Sequence, residues 1–226
     1  MSEQPALRLF VIRHGQTEWS MTGQHTGRSD IPLTAHGETE ARTLTPVLRH
    51  VPFSHVLSSP LQRARQTCQL AGLGNAMQVL DDLAEWDYGA YEGLRSVDIR
   101  VQRPGWNIFR DGCPQGESAE QMTARIDRLI AHLHTLSGDL AVFAHGHVGC
   151  VLATRWLGLP LSDAGHFPLA TASLSVLALD PRHGNVPIIS AWNLTPGRGF
   201  LEGTHYSEGT HYSEERTIQT GQTRRK

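Results

Sequence analysis

Cysteine is scarce in this chain. Its 226 residues hold three, Cys68, Cys113 and Cys150, widely spaced and with no CxxC pair. Nothing there reads as a disulfide framework or a thiolate metal site, and a reduced, cytoplasmic protein is expected. Charge of one sign is also lacking. A formal net charge of −2 gives no electrostatic case for nucleic acid or an anionic membrane surface as partner. No apolar run is long enough to span a bilayer. The opening MSEQPALRLF lacks the basic-then-apolar layout of a secretory signal. Any attraction for an anionic small molecule must therefore be local.

What the sequence does have is alternation. Short β-rich apolar runs at 7–13, 54–59, 139–145, 172–179 and 187–192 read as strands. Between them lie helical patterns at 34–49, where Pro46 should end or kink the helix, and at 61–72, 118–136 and 147–157. For the second of these, Ser59 reads as the cap and Pro60 as the first helical residue. Strands alternating with helices predict one α/β domain over 1–194, a three-layer α/β/α sandwich on a mostly parallel central sheet. From Thr195 to Lys226 the sequence turns polar and carries a direct repeat, EGTHYS-EGTHYS, which reads as a solvated tail. In this fold class ligands bind beyond the carboxyl ends of the strands. His14 and His145 each follow a strand directly, so both are expected on that rim.

Four local patterns carry chemistry. Arg13-His14-Gly15 places a fixed cation beside an imidazole at a strand end. That disfavours a bound metal cation and suits a phosphoryl group. Arg63, in SSPLQRARQT, lies in the first turn of a helix, where an arginine is unfavourable unless an anion is near. Ala144-His145-Gly146-His147 is a second strand end turning into a helix. Glu85, in LAEWDYG, is a carboxylate set among aromatic residues.

In order and combination these patterns resemble the histidine phosphatase (phosphoglycerate mutase-like) superfamily. The resemblance spans about residues 7–193, through RHG, SSPLQRARQT, LAEWDYGAYEG, GES at 116–118 and FAHGH. It implies that His14 accepts the phosphoryl group, that Arg13, Arg63 and His145 hold its oxygens, and that Glu85 protonates the leaving oxygen. No cofactor or metal is implied. Gln16, Thr17, Thr26, Gly27 and Gly146 are expected around the phosphate. Ser20 stands where many members of the family have asparagine. His25, His36 and His147 are read as ordinary.

The mutases of that superfamily carry a long helical insertion between the acid motif and the GES motif. Here only Leu94–Gly116 separates them, a short cap that admits water and favours hydrolysis. Within the phosphatases, RHGQTEWS and PGWNIFRDGCPQGES are similar to the sedoheptulose-bisphosphatase type, which implies a sugar-phosphate substrate. In the cap, Arg103 and Arg110 are candidate substrate contacts; if either faces the site, a bisphosphate should be preferred. Trp106 and Phe109 are read as cap packing. Mutase and phosphoprotein phosphatase stay open as alternatives, and the oligomeric state is not legible. A purely binding protein is disfavoured, because His14, Arg63, Glu85 and His145 are all present.

Overall fold

The computed structural model describes residues 6–195. The tail expected from Thr195 onward lies, Thr195 apart, outside the described residues. Six strands, β1 (Arg8–Arg13), β2 (His55–Ser58), β3 (Met77–Val79), β4 (Asp139–Ala144), β5 (Leu174–Asp180) and β6 (Val186–Leu194), form one sheet in the order β3-β2-β4-β1-β5-β6. The pairs β3–β2, β2–β4 and β4–β1 are parallel, and β5 runs antiparallel to both of its neighbours. The sheet is mixed, with the parallel part at its centre.

The strand β4 explains the layering. All six of its residues are buried, and successive side chains point to opposite faces. Leu140 and Val142 join one core cluster with Leu9, Val11 and Leu57. Ala141 and Phe143 join another with Ile12, Val56, Leu44 and Leu48. A strand apolar on both sides must be covered on both sides, which is the three-layer arrangement.

The helices are α1 (Glu18–Thr22), α2 (Ala35–Thr43), α3 (Thr45–Leu48), α4 (Gln62–Leu70), α5 (Ser96–Gln102), α6 (Ile108–Asp111), α7 (Ala119–Leu133) and α8 (Gly146–Trp156). The single helix expected over 34–49 is interrupted at Leu44, and Pro46 sits at the start of the second piece, where its missing N–H costs nothing. The expected start of the 61–72 helix is corrected: Leu61 is the N-cap, and Ser59 and Pro60 precede it. Ser118 caps α7 through a reciprocal pair of bonds with Gln121, as its sequence suggests. The cap is α5, α6 and their connections. Trp106 and Ile99 are buried in it, and Phe109 packs edge-on against Trp86, so both cap aromatics pack as expected.

Candidate active site

Sheet register brings the site together. In the parallel pair β1–β4, Arg13 is level with Ala144, and the His14 N–H continues the ladder to the Ala144 carbonyl at 3.1 Å. The next residues, His14 and His145, therefore emerge side by side, with ring centroids 5.2 Å apart. On the other side of β4, the Ser59 N–H donates to the Phe143 carbonyl at 2.9 Å, which sets Ser59 on the same rim. The chain then turns tightly after His14. A Cβ on Gly15 would collide with the backbone of Gly37 in α2, so only glycine fits.

His14 is 5% exposed. Its Nδ1 lies 2.7 Å from the Gly15 carbonyl, which can only accept, so Nδ1 carries the ring proton and Nε2 the lone pair. Nε2 has no hydrogen-bond partner among the described residues. Burial, reinforced by the guanidinium groups of Arg63 and then Arg13, holds this imidazole well below its usual pKa, with the Gly15 carbonyl opposing. His14 is thus a neutral base with a free lone pair in neutral solution.

Arg13 Nη1 donates to the Leu169 carbonyl at 2.5 Å, but its Nε is buried with no hydrogen-bond partner. An orphaned donor on a charged group is costly. Arg63 is fully buried and is used differently. Its Nε donates to His145 Nδ1 at 3.2 Å, and its terminal nitrogens donate to the carbonyls of Ser29, Thr26 and Gly27. It locks the 26–29 loop and leaves His145 Nε2 as the protonated nitrogen, 2.7 Å from Ser59 Oγ. Burial, then Arg63, keeps the His145 pKa well below the usual value.

Glu85 comes from a loop yet is firmly held. Its Oε1 accepts from Trp86 N and Val148 N, and its Oε2 from His147 N, at 2.9 to 3.0 Å. Helix α8 has no side-chain cap of its own, and Glu85, about sixty residues away in sequence, supplies it. The carboxylate so placed uses three of about four acceptor positions, leaving one for a ligand.

A cavity of about 340 Å³ is lined by Arg13, His14, Ser20, Thr26, Glu85 and Gly146, together with Gln24, His25, Tyr88, Ser96, His147 and Leu169. A larger cavity of about 650 Å³ touches Gly27 and Glu85 but contains none of Arg13, His14 and His145. Its arginines are already paired, Arg28 with Asp87, Arg125 with Glu117 and Arg128 with Asp82. The smaller one brings Arg13, His14 and Glu85 together, whereas Arg63 and His145, expected to hold phosphoryl oxygens, are fully buried behind it with their nitrogens bonded to protein groups.

Several expected substrate contacts sit elsewhere. Gln16 bonds Thr34 through its side chain, Thr17 is fully buried as the cap of α1, and Gly27 faces the larger cavity. Arg103 and Arg110 are corrected outright. Both are exposed and engage Asp111, and neither lines the cavity that holds His14. Conversely, His25 and His147, read as ordinary from sequence, both line it. The signal available was His147 itself, two residues beyond a strand-end histidine and in the first turn of a helix. Among the described residues, no three His, Cys, Asp or Glu side chains converge as a metal site would require.

A family model described as "Histidine phosphatase superfamily (branch 1)" matches residues 9–195. The chain is 39% identical over 181 residues to an acid phosphatase of Mycobacterium tuberculosis, covering 78% of this chain and 88% of that protein. It is 40% identical over 185 residues to sedoheptulose 1,7-bisphosphatase of Saccharomyces cerevisiae, covering 67% of this chain and 68% of the other. A solved structure of a Mycobacterium tuberculosis open reading frame aligns with a TM-score of 0.78 at 38% identity, over 84% of this chain and 98% of that one. Strand-end histidines, a buried and a half-buried arginine and a capping glutamate thus sit within a fold and a sequence pattern shared with named phosphatases. The chain belongs to the histidine phosphatase superfamily, and it is a phosphatase of that type.

Proposed function

We propose that the enzyme hydrolyses small phosphate monoesters, sugar phosphates first among them, through a phosphohistidine formed on His14 Nε2. The observation that carries this reading is the pairing of a free Nε2 lone pair on a neutral His14 with the guanidinium of Arg13 in one cavity. Phosphoryl transfer asks little covalent chemistry of a protein beyond positioning and charge stabilisation. Here Arg13 holds a phosphoryl oxygen, and Arg63 contributes positive charge from behind His145. These cations fill the part a metal ion plays elsewhere.

In the first step Nε2 attacks phosphorus as the bond to the ester oxygen breaks, and Glu85, protonated, gives its proton to that oxygen. In the second, Glu85 takes a proton from water as the water oxygen attacks phosphorus. The P–N bond breaks, its electrons return to Nε2, and orthophosphate leaves. The likeness to a bisphosphatase and an acid phosphatase supports small esters as substrates, and the short cap supports water over a second sugar oxygen as acceptor.

The test is a hydrolysis screen on chelator-treated enzyme with p-nitrophenyl phosphate, sugar phosphates and 3-phosphoglycerate. Orthophosphate release without added metal, competitively inhibited by vanadate, is expected. Efficient isomerisation of 3-phosphoglycerate, or strict dependence on added magnesium or zinc, would overturn the reading.

A further inference from the structure

The His14 cavity has a wall that the proposed mechanism does not use. Tyr88 is buried, and its hydroxyl lies 2.6 Å from His147 Nδ1. Burial first, then the Glu85 charge, raises the phenol well above its usual pKa, so it keeps its proton. With the phenol proton directed at Nδ1 of His147, the ring proton of the neutral imidazole sits on Nε2. That nitrogen has no hydrogen-bond partner among the described residues, and the ring lines the cavity. Trp86 and Phe109 hold the ring edge-on, and its own backbone N–H is bonded to Glu85. The result is a fixed donor beside the catalytic carboxylate.

His25 completes the wall. It stacks on Tyr88 with centroids 4.6 Å apart, and its Nε2 lies 3.2 Å from Ser96 Oγ. Its Nδ1 has no partner among the described residues. Burial is the main reason that both His25 and His147 are pulled down to a pKa of about 4. Ser20, Gln24 and Ser96 line the same cavity. Around the two rings, the polar groups are therefore ring nitrogens, hydroxyls and an amide. Among the described residues Arg13 is the one cation lining the cavity, and it belongs to the His14 end; Arg100, whose charge reaches His25, is exposed and spends its Nε on the Trp106 carbonyl. A second phosphate would be stripped of water there with no cation of the cavity wall to meet it, whereas sugar hydroxyls match donors and acceptors of this kind.

We infer that the His25–Tyr88–His147 cluster is the leaving-group subsite, and that it takes the uncharged, hydroxylated half of a phosphate monoester rather than a second phosphate. This rests on the phosphatase reading above. It also reverses the bisphosphate preference that Arg103 and Arg110 suggested, since neither reaches the cavity.

The test compares kcat/KM for fructose 6-phosphate and fructose 1,6-bisphosphate, with p-nitrophenyl phosphate as reference. The wild type should prefer the monophosphate about tenfold or more. In His147→Phe the ratio of fructose 6-phosphate to p-nitrophenyl phosphate turnover should fall about threefold to tenfold, mostly through KM, as expected for one lost neutral hydrogen bond. His147→Gln, which keeps a side-chain N–H, should recover most of that ratio, and a purely structural role would not produce this pattern. Tyr88→Phe, which frees the His147 tautomer, should lower the ratio less and serves if His147→Phe does not fold. A wild-type preference for the bisphosphate, or a ratio unmoved in the folded variants, would overturn the subsite. Absence of hydrolysis of every ester by the wild type would instead overturn the phosphatase reading.

Discussion

The cavity has two sides built by different means. On one, Arg13 and His14 line it from the end of β1, backed by the fully buried His145 and Ser59 at the ends of the adjacent strands, and parallel register alone sets His14, His145 and Ser59 level. On the other, His25, Tyr88, Ser96 and His147 come from loops and helix starts and meet through stacking and hydrogen bonds. On the proposed reading, the first side positions the phosphoryl group at the ends of the central strands, of which β4 is buried throughout. The second leans on a cap whose packing comes from a few aromatics such as Trp106. The contrast teaches that the reaction and its specificity rest on separable parts of the fold: one part follows from strand order, the other from side chains that happen to meet.

Variants can break this division at either side. The largest effect is expected from His14→Ala, which removes the proposed nucleophile without opening the core and should lower kcat by about a thousandfold or more. Circular dichroism should show an unchanged fold, and more than a few per cent residual activity would contradict the covalent route. Next is Glu85→Gln, which should cost about 10²- to 10⁴-fold on alkyl phosphates and much less on p-nitrophenyl phosphate, whose leaving group needs no proton. Equal losses on both would remove Glu85 from the role of acid.

A third prediction concerns stability. His14, His25, His145 and His147 all have native pKa values below the ordinary 6.5. As pH falls below about 6.5, the unfolded chain therefore takes up protons that the native site refuses. Stability should drop from pH 6.5 downward, and for His25 and His147 the drop should be complete near pH 4. Each histidine contributes a slope of up to about 1.4 kcal/mol per pH unit. Denaturant titrations of His25→Gln should show that slope reduced by one proton; an unaltered slope would mean that His25 is charged in the native state. The smallest effect is expected from Arg103→Glu and Arg110→Glu, each within about twofold of wild type on every ester, since both side chains are exposed and bonded to Asp111. A tenfold loss on a bisphosphate alone would restore them to the site.

How far the sequence could be read follows the same line. The places of His14, His145, Arg13 and Arg63 were legible because a strand end followed by glycine, or a helix start, is a local pattern with a local consequence; that Arg63 and His145 spend their nitrogens on protein partners instead of facing the cavity was not. The parallel centre of the sheet was legible for the same reason, whereas β3, three residues on an exposed edge, is too short to show a period. Ser59 was visible but assigned the wrong task. Its hydroxyl is near enough to accept from Leu61 N, yet its closest bond, 2.7 Å, is to His145, 86 positions away. His25 and His147 were not legible, because their part depends on Tyr88 lying between strand end and cap, a contact no spacing encodes. Arg103 and Arg110 misled because charge in a cap reads as a ligand contact until its own counter-ion, Asp111, is seen.

The most direct measurement is the identity of the phosphoenzyme. Rapid-quench trapping with a labelled substrate, followed by phosphorus NMR of the isolated peptide, distinguishes the two phosphohistidine isomers. Since Nδ1 of His14 is committed to the Gly15 carbonyl at 2.7 Å, the account predicts an acid-labile, base-stable phosphate on Nε2 of His14, absent from His14→Ala. Phosphate on Nδ1, on another residue, or on none during steady turnover would contradict it.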